Sequence, residues 1–262
     1  MVQQLTLTAQ IPSKSVSRLL LTLKTLTGNI QSDMNVHTVI LKPRYPFMPE
    51  QIAGKVVQIE SYRVRMNRIW EKGHPTSLVH NNIHTDVTIL GDSITRRDNE
   101  SLNSSIWTLQ LSDIPAGGQN PVLIQNIYET TIYQTDDIIG YLDELGYIHE
   151  TEFWTYGTRF YYGNVIIEIT QIYVNDTAAV RDLEAEFSNK DITLTTLKLL
   201  DPSRSYHIKA YVNVSSLNDL ESVAVGVKSL EALKKELSEL VELKIPDRLA
   251  MDSRINSRIA QR

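Results

Sequence analysis

YIHETEFWTYGTRFYYGNVIIEITQIYV, residues 147–174, reads as two long strands that turn at Gly163-Asn164. Aromatic and β-branched residues crowd both flanks, a composition that suits a pleated, half-buried surface. A Gly-Asn pair between two such runs is a short hairpin signal. The expected strands are Tyr147–Tyr162 and Val165–Val174.

Working outward, the same period of two recurs. Downstream, Tyr206, Ile208, Ala210, Val212 and Val214 alternate with His207, Lys209, Tyr211 and Asn213, so one face packs and the other is wet. Upstream, strands are expected at Val2–Ile11, Val36–Lys42, Val56–Trp70, Ile106–Ser112 and Val122–Tyr133, with a last strand-like piece at Val241–Ile245. In the long upstream strand Tyr62, Val64 and Met66 share one face and Arg63 and Arg65 the other. Three helices interrupt this pattern. Lys14–Thr27 carries Val16, Leu19, Leu20, Leu23 and Leu26 on one stripe and is followed by Gly28. Thr135–Leu145 has Asp136 and Asp137 at its first turn, and Leu217–Leu240 is long and amphipathic.

Strands that arrive in consecutive hairpin-like groups argue against a doubly wound α/β fold. The fold class expected is mainly β (α+β): a closed antiparallel β-barrel of about eight or more strands with flanking helices, since closure removes sticky edges. No compositional break divides the chain, so residues 1–262 read as one domain. Variable loop insertions are expected at 71–104 and 175–203, the second with a short helix near Ala178–Phe187, and an exposed, mildly basic tail at 246–262.

The 262 residues include 26 Lys and Arg against 31 Asp and Glu, a net charge of −5 that disfavours bulk attraction to nucleic acid or an anionic membrane. With no cysteine, disulfide frameworks, Cys-ligated metals and thiol nucleophiles are excluded. The N-terminus reads as no secretory signal, and no run approaches the roughly 18 apolar residues of a membrane span.

His80, His84, Asp86 and His74 lie close in sequence but in a loop, without the glutamate that a zincin helix needs after its first histidine. Solvated loop histidines are the expectation, and neither metal nor cofactor is expected. Glu150 and Glu152, two apart on one strand face, could hold a hard cation. Arg63, Arg65, Arg159, Glu168 and Lys209 could line the same interior. That arrangement resembles the triphosphate tunnel enzymes, which would make a metal-dependent 5′-triphosphatase the alternative function. The resemblance stops short: Trp154 stands where the tunnel's Glu-x-Glu-x-Lys element ends, and Thr170 where a second acidic pair would continue from Glu168. No Gly-x-Ser-x-Gly elbow, phosphate-binding loop or dinucleotide fingerprint occurs.

Several separated segments carry a more specific resemblance: His207-Ile-Lys-Ala-Tyr-Val-Asn-Val-Ser215, Leu233-Lys-Lys-Glu-Leu237 and Ile245-Pro-Asp-Arg-Leu-Ala-Met-Asp-Ser-Arg254 occur in that order. Ahead of them stand Met1-Val-Gln-Gln-Leu5, Trp107-Thr-Leu-Gln-Leu-Ser-Asp-Ile-Pro-Ala116, Leu145-Gly-Tyr147 and Thr155-Tyr-Gly157. Together they resemble the fungal Mediator subunit eighteen family. The resemblance implies a non-catalytic, nuclear subunit of the Mediator head module, a transcription coactivator. Its barrel would pair with that of subunit twenty and receive the C-terminal helix of subunit eight. Contact with RNA polymerase II and the TATA-binding protein is a family-level expectation, with no direct nucleic-acid or membrane contact. Ile114, Pro115, Pro246, Met251 and Arg254, in irregular segments that a barrel core explains poorly, are the candidate partner-interface residues.

Overall fold

The computed structural model describes residues 1–28, 31–45, 50–52, 55–57, 61–70, 89–92, 106–133, 137–175, 194–215 and 219–255. In chain order these form β1 (Val2–Ile11), α1 (Ser13–Thr27), β2 (Ser32–Pro43), β3 (Glu50–Ile52), β4 (Lys55–Val57), β5 (Ser61–Tyr62), β6 (Val64–Ile69) and β7 (Ile89–Asp92). There follow β8 (Trp107–Ser112), β9 (Leu123–Ile132), α2 (Ile138–Glu144), β10 (Tyr147–Tyr162), β11 (Val165–Asn175), β12 (Leu194–Leu199), β13 (Tyr206–Val214), α3 (Leu220–Glu236) and β14 (Arg254–Ile255).

Eight strands in the order β10-β2-β6-β8-β9-β1-β13-β11 close on themselves through β10–β11, every pairing antiparallel. The closing pair is the hairpin on which the sequence reading turned. Its register runs from Tyr162 opposite Val165 to Trp154 opposite Tyr173. Gly163 takes φ 58° in the turn, a conformation that costs glycine nothing. Gly157 lets the two strands approach: a Cβ there would strike the Ile169 carbonyl oxygen and stand 2.7 Å from Thr170 Cα.

Alternation gives the barrel an apolar outside and a polar inside. On the outside, Leu5, Leu7, Phe160, Ile167, Ile208, Ala210 and Val212 are buried beneath α1 and α3. Helix α1 contributes Val16, Leu19 and Leu23 to this layer, and α3 contributes Leu230 and Leu233, with Gly226 against Leu5 and Val212. Helix α3 starts after its cap Asp219, whose carboxylate accepts from the Ser222 N–H, and ends at Glu236, so it is shorter at both ends than the Leu217–Leu240 expected. A second layer places Ile138 and Leu142 of α2 on Val39, Leu41, Met66 and Trp107. Helix α2 begins at Ile138, because Asp137 caps it by accepting from the Gly140 N–H.

Three expectations are corrected. The stretch Val56–Trp70 is three short strands: β4 pairs with β3, β5 with β14, and β6 with β2 and β8. The two segments read as loop contain β7 and β12, which pair with each other, while β12 joins β11 at Tyr173–Asn175. There Leu197 packs with Trp70, Trp154 and Tyr173, an anchor that a short mixed run does not advertise. Val241–Ile245 forms a single bridge, Lys244 to Thr8, beside β1. Residues 246–255 of the tail are docked, as described below. His74, His80, His84, Asp86 and the stretch 178–187 lie outside the described residues. Among the described residues no helix is long and apolar enough to cross a membrane.

Candidate functional site

The barrel's inner face gathers the charges that alternation assigns to it. Glu168 on β11 accepts from Arg159 on β10 (Nη2 at 2.8 Å) and from the Tyr211 hydroxyl on β13 (2.9 Å). Lys209, two residues before Tyr211, holds its ammonium 4.6 Å from that ring. Burial pulls the Lys209 ammonium below its ordinary pKa, Glu168 pulls it back up, and Arg65 pushes it down again. Burial likewise raises the Tyr211 phenol, and Glu168 adds to that rise.

Toward one mouth, Arg63 donates to Glu150 (Nε at 2.7 Å) and Lys42 lies 3.9 Å from the same carboxylate. The Arg63 hydrogen bond holds Glu150 below the usual carboxylate range, with partial burial opposing it. Arg63 and Glu150, with Ile40, Arg65 and Gln110, border a cavity of about 350 Å³ that the tail segment Ala250–Ser253 also lines. The interior grouping of Arg63, Arg65, Arg159, Glu168 and Lys209 is therefore as the alternation predicts.

The paired-acid expectation is overturned. A bulge between His149 and Thr151 inserts one residue into β10 opposite β2, and the extra residue reverses the side-chain phase. Glu150 turns inward to Arg63, whereas Glu152 turns outward and is buried. On the outer face Glu152 lies 2.9 Å from His37 Nε2, and His37 Nδ1 accepts from Arg68 Nε at 3.1 Å. With Nδ1 accepting, Nε2 carries the proton directed at Glu152. His37 stacks on Trp154 at 4.7 Å, and Arg68 lies over Trp107. This Arg-His-Glu chain was missed in the sequence. Its signal is a polar residue in the apolar phase of each of three adjacent strands, legible only once their adjacency is known. Among the described residues no group of three or more His, Asp or Glu side chains is placed to hold a metal.

The tail that carries Pro246, Met251 and Arg254 meets the loop after β8 that carries Ile114 and Pro115. Arg248 Nε donates to the Pro115 carbonyl (2.9 Å), Ser253 Oγ to the Ser112 carbonyl (2.6 Å), and Gln125 Nε2 to the carbonyls of Asp113 and Met251. The Arg63 N–H donates to the Ser253 carbonyl. Arg254 clasps Asp252 through Nε and Nη2 and pairs with Tyr62 in the β14–β5 ladder. Pro115 is buried, Ile114, Pro246, Met251 and Arg254 are half-buried, and Ile245 and Leu249 are exposed beside them. Residues 246–255 thus form a strap across the barrel mouth, held by these hydrogen bonds while Asp247, Arg248, Leu249 and Ala250 stay exposed.

A family model described as Med18 protein matches residues 3–254. The chain belongs to the Med18 family. Some Med18 relatives match nearly its whole length: a Yarrowia lipolytica protein named Mediator of RNA polymerase II transcription subunit 18 is 30% identical over 257 residues, covering 97% of this chain and 100% of its own. The Candida albicans protein of the same name is 28% identical over 361 residues, covering 97% and 99%. In a solved structure of the Schizosaccharomyces pombe Mediator head module, one chain has the same fold, with a TM-score of 0.63 at 13% identity over 93% of this chain and 98% of that one. The Med18 match ends at Arg254, so it takes in the strap that closes the barrel mouth.

Proposed function

We propose that this chain is a non-catalytic subunit of the Mediator head module, acting in the nucleus to couple gene-specific regulators to RNA polymerase II through protein contacts. Membership of the Med18 family across residues 3–254 is the observation that carries this reading, together with relatives named as subunits of Mediator. The state of the interior supports the non-catalytic part. Glu168 is engaged by Arg159 and Tyr211, and Glu150 by Arg63, so these carboxylates are committed to cations and phenol rather than grouped for a metal.

The partners proposed are the barrel of subunit twenty and the C-terminal helix of subunit eight. Ile114, Pro115, Pro246, Met251 and Arg254 mark the surface proposed to face them, and the exposed Ile245 and Leu249 supply apolar anchors there. Buried apolar anchors carry most of the energy of such interfaces.

The test is co-expression with subunits twenty and eight, followed by size-exclusion chromatography with mass determination. Co-elution in one complex is expected, and simultaneous alanine replacement of the five marked residues is expected to break it. A chain that elutes alone refutes the adaptor reading. Hydrolysis of a 5′-triphosphate with magnesium or manganese would favour the tunnel-enzyme alternative instead.

A further inference from the structure

The first acidic residue of this chain is Asp33, although Asp and Glu number 31 overall. Before it stand three charged side chains, all cations and all on α1: Lys14, Arg18 and Lys24. Helix α1 buries Val16, Leu19 and Leu23 against the barrel and turns its opposite side to water. At about 3.6 residues per turn, Lys14, Arg18, Leu21 and Thr25 fall on that opposite side, with Ser17 and Lys24 on its flank. All six are exposed, Leu21 by 65%. From Lys14 to Lys24 the stripe runs about 15 Å along the helix.

The fold makes no use of these charges. Among the described residues, the side chains of Lys14, Arg18 and Lys24 make no ion pair and no hydrogen bond. Lys14 lies in the first turn, where the helix dipole disfavours a cation, and no acidic residue is there to offset it. The cap Pro12 supplies no side-chain acceptor either. Lys14 and Arg18 are four apart, a like-charge spacing that destabilises a helix. Thr22 and Thr25 turn their hydroxyls back to the carbonyls of Arg18 and Leu21. Leu21, three residues from both Arg18 and Lys24, leaves apolar surface between cations.

A cationic stripe that is unpaired, and that costs the free chain stability, is complementary to an acidic partner. We infer that the exposed face of α1 is a docking surface for an acidic protein segment, one with an aliphatic or aromatic side chain between carboxylates. The apolar side chain covers Leu21 while the carboxylates meet Lys14, Arg18 and Lys24. A phosphate backbone offers Leu21 no apolar group, and three cations release few counterions from a nucleic acid, so a protein segment is the occupant the stripe matches. The stripe shares no residue with the surface proposed to face subunits twenty and eight, and the inference stands apart from that assembly.

The test is fluorescence anisotropy on the full chain with a fluorescein-labelled synthetic peptide in which one leucine stands between pairs of Glu and Asp. Saturable binding is expected, weakening as salt screens it. The double variant Lys14→Glu with Arg18→Glu should weaken it about tenfold or more, and Leu21→Ser about threefold or more. Lys228→Gln, on the exposed side of α3, should leave it unchanged. A second readout needs no ligand. Lys14→Glu supplies the acid that the first turn lacks and removes the like-charge pair, so the melting temperature should rise; a lysine kept for the fold would lower it. The double variant should still co-elute with subunits twenty and eight, and loss of that complex would assign the stripe to the assembly and overturn the proposal. Absence of saturable binding, equal loss with Lys228→Gln, a lower melting temperature for Lys14→Glu, or tighter binding of a thymidine oligonucleotide than of the peptide would overturn it as well. The peptide assay uses the chain alone, so failure of the assembly reading leaves this inference standing.

Discussion

Gly157 and Glu150 illustrate how much a single position carries in this barrel. At Gly157 any Cβ meets backbone atoms of Ile169 and Thr170, which cannot swing aside as a side-chain tip can. Gly157→Ala is expected to cost about 3 kcal/mol, read as a lower urea midpoint; an unchanged midpoint would mean the strands separate freely there. Glu150 gives a pH signature. Its folded pKa lies below its unfolded value because of Arg63, so its contribution to stability is present above the ordinary glutamate range and is lost as pH falls through the folded pKa. The stability gap between wild type and Glu150→Gln should therefore shrink as pH falls through and below the ordinary glutamate range; a constant gap in denaturant melts would contradict this. The inward placement of Arg63, Arg65, Arg159 and Lys209 was legible from strict alternation alone. The partner of Glu152 was not, because one bulged residue at 149–151 reverses the phase and nothing in the local composition announces it.

At the scale of elements, the helices and the long hairpin were legible because each buries one continuous face, and burial writes a period into the sequence. Helix α3 tests that account within itself. Leu230 is fully buried against the barrel and Leu220 is 78% exposed. Leu230→Ala should cost about 3 kcal/mol, and Leu220→Ala about 0.5 kcal/mol or less, compared by chemical denaturation. Equal effects would show that the stripe is not what seats the helix. The β7–β12 ribbon and the strap at 246–255 were illegible for a different reason. The strap is held chiefly by hydrogen bonds to main-chain carbonyls of Ser112, Pro115, Met251 and Ser253, acceptors that every residue possesses and that leave no side-chain pattern. The ribbon is short, and its anchor Leu197 gains meaning only from Trp70 and Trp154, which are distant in sequence.

For the whole molecule, closure means that no barrel strand can leave without breaking two ladders, while the apolar layer beneath α1 and α3 ties β1, β10, β11 and β13 together. Stability should therefore be distributed unevenly around the ring. The β1, β11 and β13 amides sit under the largest buried cluster and should exchange hydrogen only through global unfolding. Helix α2 has seven residues, and β5–β14 is a pairing of two-residue strands. Both can open locally while the barrel stays closed, so their amides should exchange orders of magnitude faster under native conditions. Destabilising the chain with Leu230→Ala should accelerate exchange in β1, β11 and β13 by the full loss in global stability and leave exchange at β5–β14 unaltered. Uniform protection across the ring, or equal acceleration at the strap, would mean that the strap folds and unfolds as part of the barrel rather than as a clasp laid over its mouth.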